Sequence, residues 1–450
     1  MSSAQGERQA PFVVGSTMRH VVIMTLTGAV GLMALFAVDL VDLFFLSMLN
    51  QTAVTAAIGY AGTIVFTNLS AAIGSGIAAA ALVARNFGAG DMNRARQYAT
   101  SGLMFSLLVS AVITITINLG SGGLLALLGA SGEAKRLAQL FIWTMTPGYI
   151  LISGAICCSF ILRGLGDARR AMYITLSAAI VTACMDPIFI FWLGWGIQGA
   201  AAATVVGYAV SFGIGLHGVV RVHRFINPMQ LPGLRRDLPA LWAIAFPAIL
   251  TQLATPFANA YMTHEIAPFG DEAVAGFAIV GRIIPVAFGI IFALSGSVGP
   301  IIGQNFGAKR HDRVRQTLND GLLFAAIYTL STSVLLFIFR HEIAEAFNAA
   351  GRSVDIIVFF CTFIGVSWAF AGAQFVANAA FNNLGRAKLS SWFNWGKATL
   401  GTIPFALAGA QLAGPEGILA GTAIGAVIFG IASVATAYRI VRRSEAGAMT

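Results

Sequence analysis

The chain has 450 residues, 57% of them hydrophobic and only 10% charged, with a mean hydropathy of +0.81. A soluble domain carries roughly 25% charged residues, so this composition excludes a soluble enzyme or binding module. The net charge of +9 would suit a nucleic-acid partner, but the cations gather in short segments between apolar runs, and no nucleic acid is expected.

Residues 1–19 are polar and form a tail. Six apolar runs follow, and each is long enough to cross ~30 Å of hydrocarbon as a helix. They predict helices over 20–49, 56–83, 97–119, 136–162, 170–193 and 197–220. The first is too long for a signal-peptide core. A linker at 223–239 comes next, where Pro228, Pro232 and Pro239 break helicity among basic residues. Six more helices are predicted over 240–266, 273–303, 317–339, 354–381, 388–410 and 417–438, before a tail at 439–450. The chain has 50 glycines, clustered with Ala and Ser inside the apolar runs, as close helix packing in lipid requires. Cys157, Cys158, Cys184 and Cys361 lie within helices without metal-ligand spacing, so buried free thiols are expected. No metal and no cofactor is called for.

With the N-terminus inside, the cytoplasmic segments hold 21 Lys and Arg residues. The outer segments hold four: Lys135, Arg136, Arg340 and Arg352. This positive-inside bias places both termini in the cytoplasm and implies a multi-pass protein of a plasma membrane, by this reading the bacterial inner membrane.

The chain also repeats itself. Asn86-Phe87-Gly88-Ala89 returns as Asn305-Phe306-Gly307-Ala308, an offset of 219. In the same frame Arg94, Arg96, Gln97, Gly102, Leu103 and Phe105 match Arg313, Arg315, Gln316, Gly321, Leu322 and Phe324. Leu165-Gly166 likewise matches Leu384-Gly385. The expected fold is therefore all-α and membrane-integral: twelve transmembrane helices in an N-lobe (20–222) and a C-lobe (240–438). Six spans per half make the repeats parallel, related by a pseudo-two-fold axis along the membrane normal, as in transporters that rock two lobes about a central cavity.

Three acids lie well inside the predicted membrane region: Asp39 and Asp42 in the first helix, and Asp186 in the fifth. Carboxylates there are costly and mark ion or proton pathways by default. Counting along the helices at 1.5 Å per residue puts Asp42, Asp186 and Thr204 roughly 10 Å below the outer surface, at one level. Thr182 and Asp186 are i, i+4 on one helix face, and Pro187 frees a backbone carbonyl beside them. Asp39 and Asp42 share a face as i, i+3. In the repeat frame Asp42 maps to Tyr261 and Asp186 to Pro404 or Phe405, so the acids are confined to one lobe. Architecture alone would tend to recur in both halves. The opposing reading is neutralisation by Arg282 or Lys397, the intramembrane cations of the other lobe. Thr182 and Thr204 also have a plain alternative, bonding their own helix backbone. In the second half Gln252, Asn259, Gln374, Asn378 and Asn382 either line a cavity or bond between helices.

These pieces together resemble the multidrug and toxic compound extrusion (MATE) family, in its DinF-like branch. The resemblance rests on Val41-Asp42-Leu43-Phe44-Phe45, the paired Asn-Phe-Gly-Ala loops, Leu162-Arg163-Gly164-Leu165-Gly166-Asp167, and Asp186-Pro187-Ile188-Phe189-Ile190 with Gly199-Ala200 and Thr204. It implies a V-shaped exporter, expected as a monomer, that exchanges cationic or hydrophobic small molecules for protons or sodium. Asp42, Asp186, Asp39, Thr182 and Thr204 would form the coupling site. Gln252, Asn259, Gln374, Asn378, Arg282 and Lys397 would be cavity candidates. That branch more often carries Asn where Thr182 stands. The acids of the NorM-like branch correspond to positions near Thr255 and Ala371, so no second-lobe cation site is expected.

An enzyme is not expected. Gly129-Ala130-Ser131-Gly132 falls in a loop with no deep histidine to act as base. His264-Glu265 and His341-Glu342 lack a second histidine for zinc, and no phosphate-binding loop is present. A lipid-linked oligosaccharide flippase is the alternative transporter. Its diphosphate would call for more cavity cations than Arg282 and Lys397. Protons are the favoured coupling ion because few uncharged oxygens surround the acids, with sodium left open.

Overall fold

A computed structural model describes residues 10–48, 52–228 and 231–447, except for some side chains of the first two helices. The first half comprises α1 (Thr17–Ser47), α2 (Thr52–Gly88), α3 (Met92–Leu127), the pair α4 (Gly132–Thr144) and α5 (Thr146–Gly164), α6 (Ala168–Pro187) and α7 (Gly196–His217). The second comprises α8 (Leu231–Ile266), α9 (Asp271–Gly307), α10 (His311–Ile338), α11 (Arg340–Ala346), α12 (Arg352–Phe359), α13 (Trp368–Asn383), α14 (Ala387–Ala398) and α15 (Ile403–Glu445). Among the described residues, eleven helical stretches are long and apolar enough to cross a membrane.

The eleventh stretch, Ala387–Glu445, contains two spans. Helix geometry fails at Ala413 and Gly414, the latter at φ +62°, a backbone setting that suits glycine. Past this reversal Gly409 faces the Gly417 carbonyl, Gly421 the Phe405 carbonyl and Gly425 the Gly401 carbonyl, with no room for a side-chain carbon at any of them. That pairing is an antiparallel helical hairpin, and it completes twelve transmembrane helices in two lobes of six.

The boundaries differ from expectation where proline chemistry decides. The predicted helix 136–162 breaks at Met145, and Pro147 occupies the first turn of α5. The linker prolines do not all break helicity. α8 starts at Leu231 rather than 240 and runs through Pro232, Pro239, Pro247 and Pro256. Pro232 falls in its first turn, where the missing N–H costs nothing. Between α12 and α13 the chain passes through a π turn at Phe360–Ile364 and a tight turn at Gly365–Ser367, so the predicted helix 354–381 is interrupted. Cys157, Cys158 and Cys361 are buried, but Cys184 is exposed. It precedes Asp186 by two residues, roughly 200° around the helix, and so points away from the face that Asp186 buries.

The lobes meet through mirrored contacts at the end of the bundle that carries the termini. Gly88 of α2 packs on the Gln304 carbonyl of α9, and Gly307 of α9 packs on the Arg85 carbonyl of α2. These pairs exchange under the 219-residue repeat, as a two-fold axis demands. Asn86 and Asn305 repeat the correspondence, each donating its side-chain amide to the carbonyl four residues earlier. Backbone Cα–H···O contacts of this kind contribute about 0.5–1 kcal/mol each, small enough to be made and broken in a transport cycle.

Further contacts seal the same end. Asp237 of α8, fully buried, accepts from Ser101 at 2.7 Å and Gln97 at 2.9 Å, and pairs with Arg94 at 3.0 Å, all on α3. In the mirrored place Thr17 of α1 donates to Asp320 of α10. The short turn Pro11–Val13 lies across both lobes. Phe12 N–H donates to Gln304 Oε1, Phe12 O accepts from Asn305 and Arg313, and Gln304 Nε2 donates to Gly164 O.

Candidate functional site

Three helices of the first lobe converge where the sequence places its acids. α1 closes on α6 because Gly31 leaves space that Thr175 Oγ1 fills. α6 closes on α7 because Gly207 receives Thr182 Oγ1 and the Ala178 carbonyl, while Gly199 receives Phe189 O. Small residues thus set both crossings. After Pro187 the chain continues as a π turn, Ile188–Trp192, which carries Phe191 edge-to-face against Phe45 of α1 at 5.9 Å.

Asp42 of α1 is half-buried, Asp186 of α6 is fully buried, and their carboxyl groups lie within hydrogen-bonding reach of each other. Among the described residues, Asp42 Oδ1 and both oxygens of Asp186 meet no donor. Two carboxyl groups without a cation or an N–H can share a proton or accept a bare cation. Buried Thr182 stands one turn before Asp186 with its hydroxyl against Gly207. Thr204 Oγ1 instead donates to Ala200 O of its own helix at 3.0 Å, which is the plain alternative stated for it above. Asp39 lies in α1, but its side chain is outside the described residues.

The cations of the second lobe do not neutralise this pair. Arg282 is exposed on α9 and Lys397 is half-buried in the last turn of α14, and neither enters an ion pair among the described residues. Gln252 is half-buried on α8 and Asn259 is exposed there. Gln374 and Asn378 are buried in α13. Among the described residues, both amide atoms of Gln374 and Oδ1 of Asn378 lack partners, whereas Asn382 accepts from Ser390 at 3.0 Å. Asn382 is thus a packing bond between helices, while Gln374 keeps its hydrogen-bonding capacity free.

Sequence reasoning missed two groups. Asp237 was hidden among linker basics, although its partner Gln97 recurs in the repeat as Gln316. Arg163 was counted with the loop cations, but its guanidinium turns inward. It fills the space left by Gly28 of α1 and Gly296 of α9, one from each lobe, and lies 5.9 Å from the centroid of the Phe160 ring. No hydrogen bond or ion pair among the described residues engages it.

Two six-helix lobes with a carboxyl pair inside one of them suit a multi-pass membrane transporter. The MatE family profile matches residues 28–188 and 247–407, two stretches in the register of the internal repeat, and the chain belongs to that family. A relative described as a FAD transporter, from Shewanella oneidensis, is 27% identical over 94% of both chains. A probable multidrug resistance protein of Bacillus subtilis, YpnP, is 23% identical over 85% of this chain and 87% of its own length. Among solved structures, a point mutant of the Vibrio cholerae MATE transporter VcmN superposes with a TM-score of 0.91 at 24% identity, covering 95% of this chain and 97% of that one.

Proposed function

We propose that the chain is a secondary multidrug exporter that moves cationic or hydrophobic small molecules out of the cell by alternating access, driven by inward protons. The observation that carries this is the Asp42–Asp186 pair, a half-buried and a fully buried carboxyl group within reach of each other and, among the described residues, without a donor at Asp42 Oδ1 or at either oxygen of Asp186. A proton between two such carboxyl groups relieves their repulsion, and its loss restores a negative site for a cationic substrate. Sodium would ask for more oxygens than Thr182 and the carbonyls around Pro187 supply. The excess of cations at the terminus-bearing end supports placing that end in the cytoplasm of a bacterium. The contacts between Gly88, Gly307 and Pro11–Val13 then describe a form closed to the cytoplasm. The lobes work within one chain, so a monomer suffices. Transport into proteoliposomes under separate pH and sodium gradients tests the coupling. Drive by sodium alone would overturn it.

A second reading, export of an anionic aromatic such as a flavin nucleotide, is favoured by two observations. One is the full-length similarity to a protein described as a FAD transporter. The other is Arg163, whose guanidinium lies between Gly28 of one lobe and Gly296 of the other beside Phe160, a donor group and a ring that suit a phosphate next to an aromatic. Arg163→Gln separates the readings. It should depress FAD export strongly and ethidium export little if the second is right, and should treat both alike if it is wrong.

A further inference from the structure

The end of the bundle that carries the termini holds a recess of about 670 Å³ between α8, the start of α14 and the end of α15. Arg386, Lys388, Arg439 and Arg443 line it, and no acid does. Lys388, Arg439 and Arg443 enter no ion pair among the described residues. The rest of the wall is largely apolar, including Ala243, Leu389 and Ile440.

The first lobe contains an internal control. In the repeat frame Arg386 corresponds to Asp167. Asp167 caps α6 by accepting from Arg170 N–H at 3.1 Å, and its carboxylate also binds the Arg170 guanidinium and His223, the latter at 2.8 Å. The first lobe thus supplies its own anion to this corner of the fold. In the second lobe Arg386 occupies the cap position, and α14 begins with no side-chain cap. Arg170 corresponds to the apolar Leu389, and His223 to the apolar Val441 once a one-residue deletion shifts the offset to 218, as Gly196, Gly199 and Gly207 matching Gly414, Gly417 and Gly425 require. At this corner the second lobe carries Arg386 where the first carries its capping carboxylate, with Lys388 beside it.

We propose that this recess binds the phosphate headgroup of an anionic phospholipid from the adjoining leaflet. The cations and the open first turn of α14 take the phosphate, and the apolar wall takes the start of an acyl chain. A lipid is chosen over a free phosphate because of that wall and because of position. Trp242, next to Ala243 and 46% exposed, stacks on Phe246, and exposed aromatic side chains of this kind are enriched at membrane boundaries. Trp392, one turn further along α14, is 77% exposed, as a lipid-facing side chain would be. A general preference for cations on one side accounts for their number but not for a concave cluster drawn from two segments about fifty residues apart.

The test is native mass spectrometry of the purified full chain in micelles with equal amounts of phosphatidylglycerol and phosphatidylcholine. The parent should retain phosphatidylglycerol preferentially. R386Q/K388Q/R439Q/R443Q should lose that preference by about tenfold or more. A control that removes four other exposed cations at the same end, R169Q/R221Q/R224Q/R235Q, should keep it. If the quadruple variant does not purify as a folded protein, K388Q and R439Q singly should each lower the preference about threefold. Equal loss in recess and control variants, no preference in the parent, or displacement by inorganic phosphate would each overturn the proposal. None of these outcomes depends on which substrate or coupling ion the transporter uses.

Discussion

The two lobes share a backbone plan but not a charge plan. Where α1 and α6 of the first lobe bring Asp42 and Asp186 together, the corresponding residues of the second are Tyr261 and Pro404 or Phe405, none of them acidic. Where Asp167, Arg170 and His223 neutralise one another, the second lobe presents Arg386, Lys388 and Arg439 around an open recess. Features of the lobe contact recur instead: Gly88 and Gly307 each pack on a carbonyl of the other lobe, and the neighbouring Asn86 and Asn305 each bond their own helix. After duplication, backbone contacts needed by both halves are retained, while buried charge survives only where it has a task, because each unpartnered charge in lipid is costly.

The largest expected effect would break this comparison outright. Asp42→Asn and Asp186→Asn should each insert and fold normally yet reduce coupled export to the level of empty vesicles. Tyr261→Phe, at the mirrored position, should transport like the parent. Equal drug resistance from all three at equal membrane levels would place coupling elsewhere.

Next in size is the inter-lobe contact. Cysteines replacing Arg85 and Lys309, in a background without the four native thiols, should block transport when cross-linked and restore it on reduction. Uninhibited transport with the bridge closed would rule out separation of the lobes at this end.

A milder perturbation of the same contact sharpens the symmetry. Gly88→Leu and Gly307→Leu each push a side chain into a backbone carbonyl of the other lobe. Both should open this end, read as faster thiol labelling of a cysteine placed at Gly28. By symmetry the two effects should be similar, and a response from only one would show that the halves do not carry the contact equally.

The smallest effect concerns the charged corners. Asp167→Ala removes a cap and two side-chain partners, and should lower stability by about 1–2 kcal/mol in a thermal unfolding assay. Lys388→Ala, in the mirrored recess, should change it by about 0.5 kcal/mol or less in lipid-free detergent. Burial alone would raise the Asp167 pKa, but the bonds from His223 and Arg170 outweigh it and hold the group below the usual carboxylate range. Its contribution is therefore fully present above the ordinary value of ~3.9 and is lost only as pH falls through its own lower value. The Asp167→Ala deficit should accordingly shrink in strong acid alone.

Much of this protein was legible in the sequence because lipid imposes simple rules. A span must be apolar and long enough, small residues must line close crossings, and a deep carboxylate must have a purpose, so twelve helices, the repeat and the three acids could all be read directly. Helix ends were less legible: Pro232 is tolerated in a first turn, and the hairpin at Ala413–Gly414 depends on one glycine backbone setting. Tertiary structure alone decided which polar groups meet. Thr204 bonds its own helix and Asn382 a serine of the neighbouring one, whereas Asp186 and Gln374 have no side-chain partner among the described residues. Arg163 counted as a loop cation, and only the seat formed by Gly28 and Gly296, far apart in the chain, turned it between the lobes. Periodicity and composition act locally along one helix, but the partner of a buried polar group comes from another helix, and that is settled only when both are packed.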